Sequence, residues 1–148
     1  MKRFVLLISF TIAFLFVHLH SAAQDERGFR VIVHPDNPVA SMTKVEVSRL
    51  FLKRTVRWDQ PGIGAVDPVD LEAKSDIRAA FSGQVHGRSV ANVKNYWQKQ
   101  IFSGRSVPPP ELAGESDVLE FVRSRPGAIG YVSAGANLRG VKVLQVTD

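Results

Sequence analysis

Short apolar segments alternate along this chain with segments of helical periodicity, and this alternation limits its fold more than any other feature. Arg30–Val33 is almost continuously apolar and β-branched, which is typical of a strand covered on both faces. Val66–Leu71 predicts a short second strand, which Pro68 places near a sheet edge. Further strands are predicted at 128–132, where a glycine would let a backbone or ligand approach closely, and at 141–146, whose alternation suits an edge or half-exposed position.

The predicted helices begin at residues that commonly cap helices. Thr43 and Glu46 have the spacing of a capping box, and Ser75 and Ser89 are suitable N-caps for two more helices. A fourth helix is predicted over 116–124, before a Pro-Gly pair. Strands that alternate with helices predict one α/β domain, with a mostly parallel sheet between helices.

The N-terminus has the organisation of a secretory signal peptide. Lys2 and Arg3 precede the apolar stretch 4–17, and small residues follow at Ser21 and Ala23. The alternative is a membrane anchor, but the stretch is shorter than the roughly 20 residues that a spanning helix needs. We therefore predict residues 1–23 to be a signal peptide cleaved after Ala23, a domain over 24–148, a periplasmic or secreted location, and no membrane span after cleavage.

Charge and cysteine content exclude several functions. The formal net charge of +5 falls to +3 when Lys2 and Arg3 leave with the signal peptide, and the remaining charges are mixed along the chain. Nucleic-acid binding is therefore not expected, because it requires a concentrated basic face. The absence of cysteine excludes disulfides, a cysteine nucleophile, Cys-based metal sites and lipid attachment to cysteine. The sequence predicts no cofactor and no metal.

Evidence for catalysis is weak. Of the histidines after the signal peptide, His86 is flanked by Ser82 and Ser89, but no motif supplies an orienting group or an oxyanion hole. His86 is more simply explained as a loop or helix-end residue. Asp67 and Asp70 could form a carboxylate pair, yet isolated acids at strand ends are usually solvated. The sequence predicts no enzymatic activity.

Two segments could bind a ligand. The helix that begins after Ser75 would offer its N-terminus to an anion, although Asp76 already places a negative charge in its first turn. Ser75 and Asp76 would otherwise be ordinary capping residues. The second segment contains Arg54, Arg57 and Trp58; a tryptophan between cations can bind anionic or aromatic groups, or pack on the preceding helix while the arginines stay in water.

Four segments together resemble a known family. VIVHPDNPVASMTKVEVSRLFLKRTVRWDQ, KSDIRAAFSGQV, YWQKQIFSG and VRSRPGAIGYV follow in the order typical of the phosphate-binding-protein-like family of ABC-transporter substrate-binding proteins. RLFLKRTVRW and PGAIGYV are the most specific of these pieces. The resemblance implies the type 2 periplasmic-binding fold, here as one three-layer α/β/α lobe with a mixed sheet of about four or five strands.

The sequence departs from that family in two respects. Family members have two lobes that close on the ligand, whereas residues 24–148 suffice for about one. Their phosphate-binding Arg-x-Asp-Gly-Ser-Gly-Thr segment corresponds to 71–77 here, where only Ser75 matches, Leu71 replaces the arginine and Asp76 introduces a carboxylate. If an oxyanion binds, the resemblance directs attention to Ser75, with Arg78 and Lys74 nearby.

Two functional hypotheses follow from the sequence. The first is an exported, non-enzymatic binding protein for a small oxyanion, acting with an ABC-transporter component or another envelope protein. The alternative is an envelope interaction or adaptor domain that has kept the fold and lost phosphate binding. In the second case the cleft surface that a partner lobe would cover is free to bind protein.

Overall fold

A mixed β-sheet forms the centre of the fold in the computed structural model, which describes residues 28–148. The predicted signal peptide and its cleavage site lie outside the described residues. The strands are β1 (Phe29–Val33), β2 (Ser41–Thr43), β3 (Asp67–Pro68), β4 (Asp70–Leu71), β5 (Glu111–Leu112), β6 (Ala128–Ser133) and β7 (Lys142–Thr147). Five of them form the main sheet in the order β2-β7-β1-β6-β3, and β4 pairs separately with β5.

The main sheet is not mostly parallel, so that prediction is wrong. Its central strand β1 runs antiparallel to both neighbours, with Val31 opposite Tyr131 of β6 and Leu144 of β7. Only the outer pairs, β2 with β7 and β3 with β6, are parallel. Strand β7 lies inside the sheet rather than at its edge, but it is half-exposed, the other position that its alternation suits, because Leu144 is its one buried residue. Pro68 is on the edge strand β3 as predicted. Alternation of strands and helices does not fix which strands become neighbours.

Four α-helices and one π-helical segment surround the sheet. They are α1 (Lys44–Phe51), α2 (Asp76–Phe81), the π-helix Ser82–His86, α3 (Val90–Phe102) and α4 (Glu115–Arg123). The predicted capping box is present at α1, where the Thr43 amide donates to Glu46 Oε2 at 2.7 Å and the Glu46 amide donates to Thr43 Oγ1 at 3.3 Å. Ser75 and Ser89 cap α2 and α3 as predicted, through hydroxyls that accept backbone N–H bonds.

The helices cover both faces of the sheet. Neighbouring strand residues point to opposite faces, so Gly130 and Tyr131 of β6 mark the two sides. Helix α4 packs over Gly130 with Val118 and Val122, while Phe51 of α1 and Phe81 of α2 contact the Tyr131 ring. This arrangement confirms the α/β/α layers and the mixed sheet of five strands.

Helix α3 is attached by a smaller apolar cluster. Leu52, Val93 and Trp97 are buried together, and the Tyr96 hydroxyl donates a 3.0 Å hydrogen bond to the Leu52 carbonyl. The helix ends just before Gly104, whose φ of 66° is typical of a glycine that terminates a helix. Within residues 28–148, no helix combines the length and hydrophobicity that crossing a bilayer would require.

Candidate functional site

A cluster of charged side chains lies between β4, β5 and α2; Arg78 and Asp70 are buried in it, and Glu111 is at its exposed side. The Arg78 guanidinium is only 2% exposed, and its Nη2 lies 3.3 Å from Asp70 Oδ2. Its Nη1 donates to Glu111 Oε1 and to the Leu71 carbonyl, both at 2.5 Å. We call Asp70, Arg78, Glu111 and Tyr131 the Arg78 cluster. It joins β4, α2, β5 and β6 through side chains.

Tyr131 completes the cluster from the main sheet. Its hydroxyl donates to Asp70 Oδ1 and accepts a 3.3 Å bond from the Leu71 amide. Burial raises the pKa of the Asp70 carboxyl, an effect that the neighbouring Arg78 charge opposes. Burial also raises the pKa of Tyr131, and the Asp70 charge acts in the same direction. The tyrosine therefore stays neutral and remains the hydrogen-bond donor.

The position of Arg78 follows from the two joined helical segments. Arg78, Phe81, Ser82 and Val85 are buried along one side of α2 and the π-helix. Ile77 and Ala80, which share helical spacing with Phe81, are only half-buried, whereas Phe81 is fully buried. Arg78 Nε is buried and has no hydrogen-bond partner among residues 28–148.

Ser75, Arg78 and Lys74, the predicted ligand residues, do not face a common site. Ser75 Oγ accepts a 3.3 Å bond from the Arg78 amide, so the serine caps α2. The Arg78 guanidinium is bound to Asp70, Glu111 and the Leu71 carbonyl. The Lys74 side chain is 86% exposed and lies 3.1 Å from Glu72 Oε2. The structure therefore brings Ser75 and the Arg78 backbone together, while Lys74 extends into solvent.

The expectation that the acids at the strand ends are solvated is wrong for Asp70. Asp67 is half-buried and lies 3.5 Å from Arg125 Nε, whereas Asp70 is only 5% exposed. The burial of Asp70 has no signal in the sequence, because its partner Arg78 lies eight positions later and only folding brings the two side chains together. The role of Glu111 was likewise not predicted.

His86 forms a hydrogen bond that the sequence did not indicate. Its Nδ1 lies 2.8 Å from Ser48 Oγ of α1, and its ring meets that of Phe81 edge-on at 5.2 Å. Burial lowers the pKa of His86 to about 4, and the charges of Arg88 and Arg78 act in the same direction. Among residues 28–148 no carboxylate hydrogen-bonds His86, so the Ser48–His86 pair lacks the orienting acid of a hydrolytic triad.

Trp58 is buried, which agrees with packing rather than ligand binding, but its hydrogen bond is with the segment before β6 and not with the preceding helix. It is 7% exposed, and its Nε1 donates a 3.0 Å bond to the Gly127 carbonyl before β6. The Arg54 guanidinium lies 5.5 Å from the centre of the Tyr96 ring, and Arg57 is exposed. Within the part of the chain that the structure describes, no three His, Asp or Glu side chains lie together in a group that could hold a metal ion.

The fold is that of phosphate-transporter binding proteins of solved structure. The chain is similar to an ABC-type phosphate transport receptor from Vibrio cholerae, with a TM-score of 0.63 and 21% identity over 82% of this chain and 47% of that one. It is also similar to a putative phosphate ABC-transporter substrate-binding protein with bound phosphate from Clostridium perfringens, with a TM-score of 0.63 and 23% identity over 80% of this chain and 44% of that one. For PstS from Borrelia burgdorferi the TM-score is 0.57 and the identity 14%, over 82% of this chain and 47% of that one. No protein-family model and no curated protein matches the sequence.

These similarities confirm the predicted periplasmic-binding fold. Because the identities are all below 25%, they establish the fold and not the ligand. The chain spans less than half the length of each of these solved structures.

Proposed function

We propose that this chain is an exported, non-enzymatic binding domain that recognises a protein partner and uses the Arg78 cluster to hold its fold together. The fold it shares with transporter binding proteins supports a binding role. One observation favours a protein over a small anion as the ligand: the Arg78 guanidinium is buried against the carboxylates of Asp70 and Glu111.

A phosphate ion would compete poorly for these groups. Arg78 would have to give up a charge-assisted bond either to Asp70, which would leave a buried carboxylate without its partner, or to the exposed Glu111, whose negative charge would remain beside the anion. Asp76 adds a further negative charge in the first turn of α2, where it already interacts favourably with the helix dipole. Burial of Arg78 therefore favours a structural role over recognition of a free anion.

Small-oxyanion binding is the second candidate function. Two observations favour it: the similarity to a structure with bound phosphate, and the Arg78 Nε that has no partner among residues 28–148. In this case Ser75, Arg78 and Lys74 would contact the anion. The Ser75 hydroxyl accepts its bond from the Arg78 amide, so its own O–H would be available to donate to the ligand.

Isothermal titration calorimetry of the exported protein with phosphate and sulfate at millimolar concentration separates the two candidates. We expect no saturable heat from either ion, for the wild type and for a Ser75→Ala variant alike. Saturable heat that Ser75→Ala abolishes, and that the control Arg139→Ala retains, would contradict our proposal and establish the oxyanion site. Arg139 suits this purpose because it is exposed and lies in the connection before β7.

A further inference from the structure

Helix α3 and its flanks carry positive charge with no acid nearby in sequence. From Ile77 to Pro110 the chain contains no aspartate or glutamate. The exposed cations of this stretch are Arg88, Lys94, Lys99 and Arg105. None of them lies within 4.0 Å of a carboxylate of residues 28–148, whereas the exposed Lys74 and Arg125 do. Other exposed arginines without such a partner lie outside this acid-free stretch, namely Arg30, Arg49, Arg54, Arg57 and Arg139.

One flank of α3 is concave and polar. Asn92, Asn95, Tyr96 and Lys99 recur at helical spacing and, with Arg88, line an open cavity of about 360 Å³. The Tyr96 hydroxyl is occupied by the Leu52 carbonyl. The side-chain amides of Asn92 and Asn95 form no hydrogen bond within the described part of the chain, so both can pair with a ligand.

The C-terminal end of α3 adds exposed apolar surface. Phe102 is 90% exposed, Ile101 is 51% exposed, and Val107 shortly after the helix is 62% exposed. A large aromatic side chain that is almost fully in water is available for burial against a partner, and aromatic residues are enriched among those that dominate binding energy. We call the cations, the two asparagines and these three apolar residues the α3 surface.

We propose that the α3 surface binds an acidic segment of a partner protein that also presents an apolar side chain. Charge complementarity selects the acidic segment, because the α3 surface has cations and no neutralising carboxylate. Phe102 and its neighbours would bury the apolar side chain of the partner. The inference rests on the proposed protein-binding function and adds to it the surface and the chemistry of the partner.

The polar cavity favours a protein over an anionic membrane as the occupant. An anionic bilayer would be attracted by lysines, arginines and a projecting phenylalanine alone. The two asparagine amides can instead donate to and accept from peptide groups, and they lie in a concavity between cations that a carboxylate side chain can enter. The α3 surface therefore combines hydrogen bonding, charge and shape, which together give protein recognition its specificity.

Selection from a phage-displayed library of random peptides against the exported wild-type protein tests this inference. We expect the selected peptides to be enriched in aspartate and glutamate beside a large apolar residue. The Lys94→Glu/Lys99→Glu variant should weaken their binding at least tenfold, and Phe102→Ala several-fold. Arg139→Glu, a charge reversal at an exposed site before β7, is the matched control and should bind as the wild type does. Circular dichroism checks that each variant is folded.

The remaining outcomes overturn the inference in distinguishable ways. Selected peptides that lack acidic residues, or that bind Lys94→Glu/Lys99→Glu normally, would show that the protein binds peptides elsewhere and leave the proposed function intact. Co-sedimentation with phosphatidylglycerol vesicles that is lost in the same variant would assign the α3 surface to membranes. Failure to select any peptide would reject the surface, and saturable phosphate heat in the calorimetry would reject the proposed function itself.

Discussion

At the scale of the residue, the burial of Arg78 decides what that side chain can do. A solvated arginine beside a helix start could attract an anion, but this guanidinium is 2% exposed and bound to two carboxylates and a carbonyl. Buried charges are tolerated only when they are paired and hydrogen-bonded. Arg78 therefore has a structural role, because Asp70 of β4 and Glu111 of β5 bind its guanidinium.

Replacement of Arg78 by methionine should destabilise the fold strongly. The change leaves the buried Asp70 carboxylate without its charge partner, and we expect a loss of about 3–5 kcal/mol in the free energy of unfolding. Urea unfolding followed by circular dichroism gives the value. The double variant Asp70→Asn/Arg78→Met should lose less than the sum of the two single variants. A loss below about 1 kcal/mol for Arg78→Met would contradict a structural role.

His86 should make stability depend on mildly acidic pH. Its pKa is about 4 in the folded chain, against an ordinary value of 6.5, so the unfolded chain binds more protons between these values. The free energy of unfolding should therefore fall as pH drops from 6.5 to 4, by on the order of 3 kcal/mol from this residue.

The His86→Asn variant isolates this contribution, because asparagine cannot titrate yet can still hydrogen-bond Ser48. Urea unfolding of both proteins at a series of pH values gives the difference. We expect the stability of the wild type relative to His86→Asn to decrease toward pH 4. A constant difference between pH 7 and 4 would show that His86 titrates normally in the folded chain.

At the scale of the element, close packing between α4 and β6 depends on Gly130. A Cβ at this position would lie 2.7 Å from Val118 Cγ1 and 3.0 Å from Val69 Cγ1. The glycine was predicted to allow close approach by a backbone or a ligand, and the structure shows that the side chains of Val118 and Val122 of α4 and of Val69 occupy the space.

Gly130→Ala should therefore push α4 away from the sheet. We expect the free energy of unfolding to fall by about 1–3 kcal/mol, as for other overpacked core positions. Chemical denaturation measures the loss. Val118→Ala in the same chain makes room for the new methyl, so the double variant should be less destabilised than the two single changes predict together. Additive losses would contradict the steric explanation.

At the scale of the whole molecule, the two ends of the described chain meet in one sheet. Strand β7 is inserted between β1 and β2, and it bonds to both. The last strand along the chain is therefore an integral part of the sheet, and the fold requires contacts between residues far apart in sequence.

Removal of residues 141–148 should prevent folding. The deletion leaves one side of β1 without its neighbour and removes the one pairing that β2 makes among residues 28–148, so we expect loss of the cooperative unfolding transition. Thermal unfolding followed by circular dichroism is the measurement. Deletion of Asp148 alone is the control; it removes the exposed pair with Lys44 and should leave the cooperative transition of the full chain in place. A cooperative transition in the longer deletion would contradict this view of the sheet.

The sequence by itself determined the local structure of this protein. Thr43, Ser75 and Ser89 begin helices where predicted, because capping depends on bonds between residues three positions apart. The β-branched run 30–33 predicted β1, the apolar segment 128–132 predicted β6, and the ordered motifs of 30–133 indicated the fold. The resemblance also implied the mixed sheet, which alternation alone did not. Helix caps and strand segments depend on residues close together in sequence, and the family resemblance depends on the order of motifs along the chain. Both are therefore visible in the sequence alone.

Only the tertiary structure decided which distant groups meet. It placed β7 inside the sheet, set Ser48 beside His86, and brought Glu111 to Arg78. Each contact joins residues separated by tens of positions, and their energies depend on burial, which no local pattern reports. For the same reason the sequence could mark Arg78 as a candidate anion ligand, while folding surrounded its guanidinium with carboxylates.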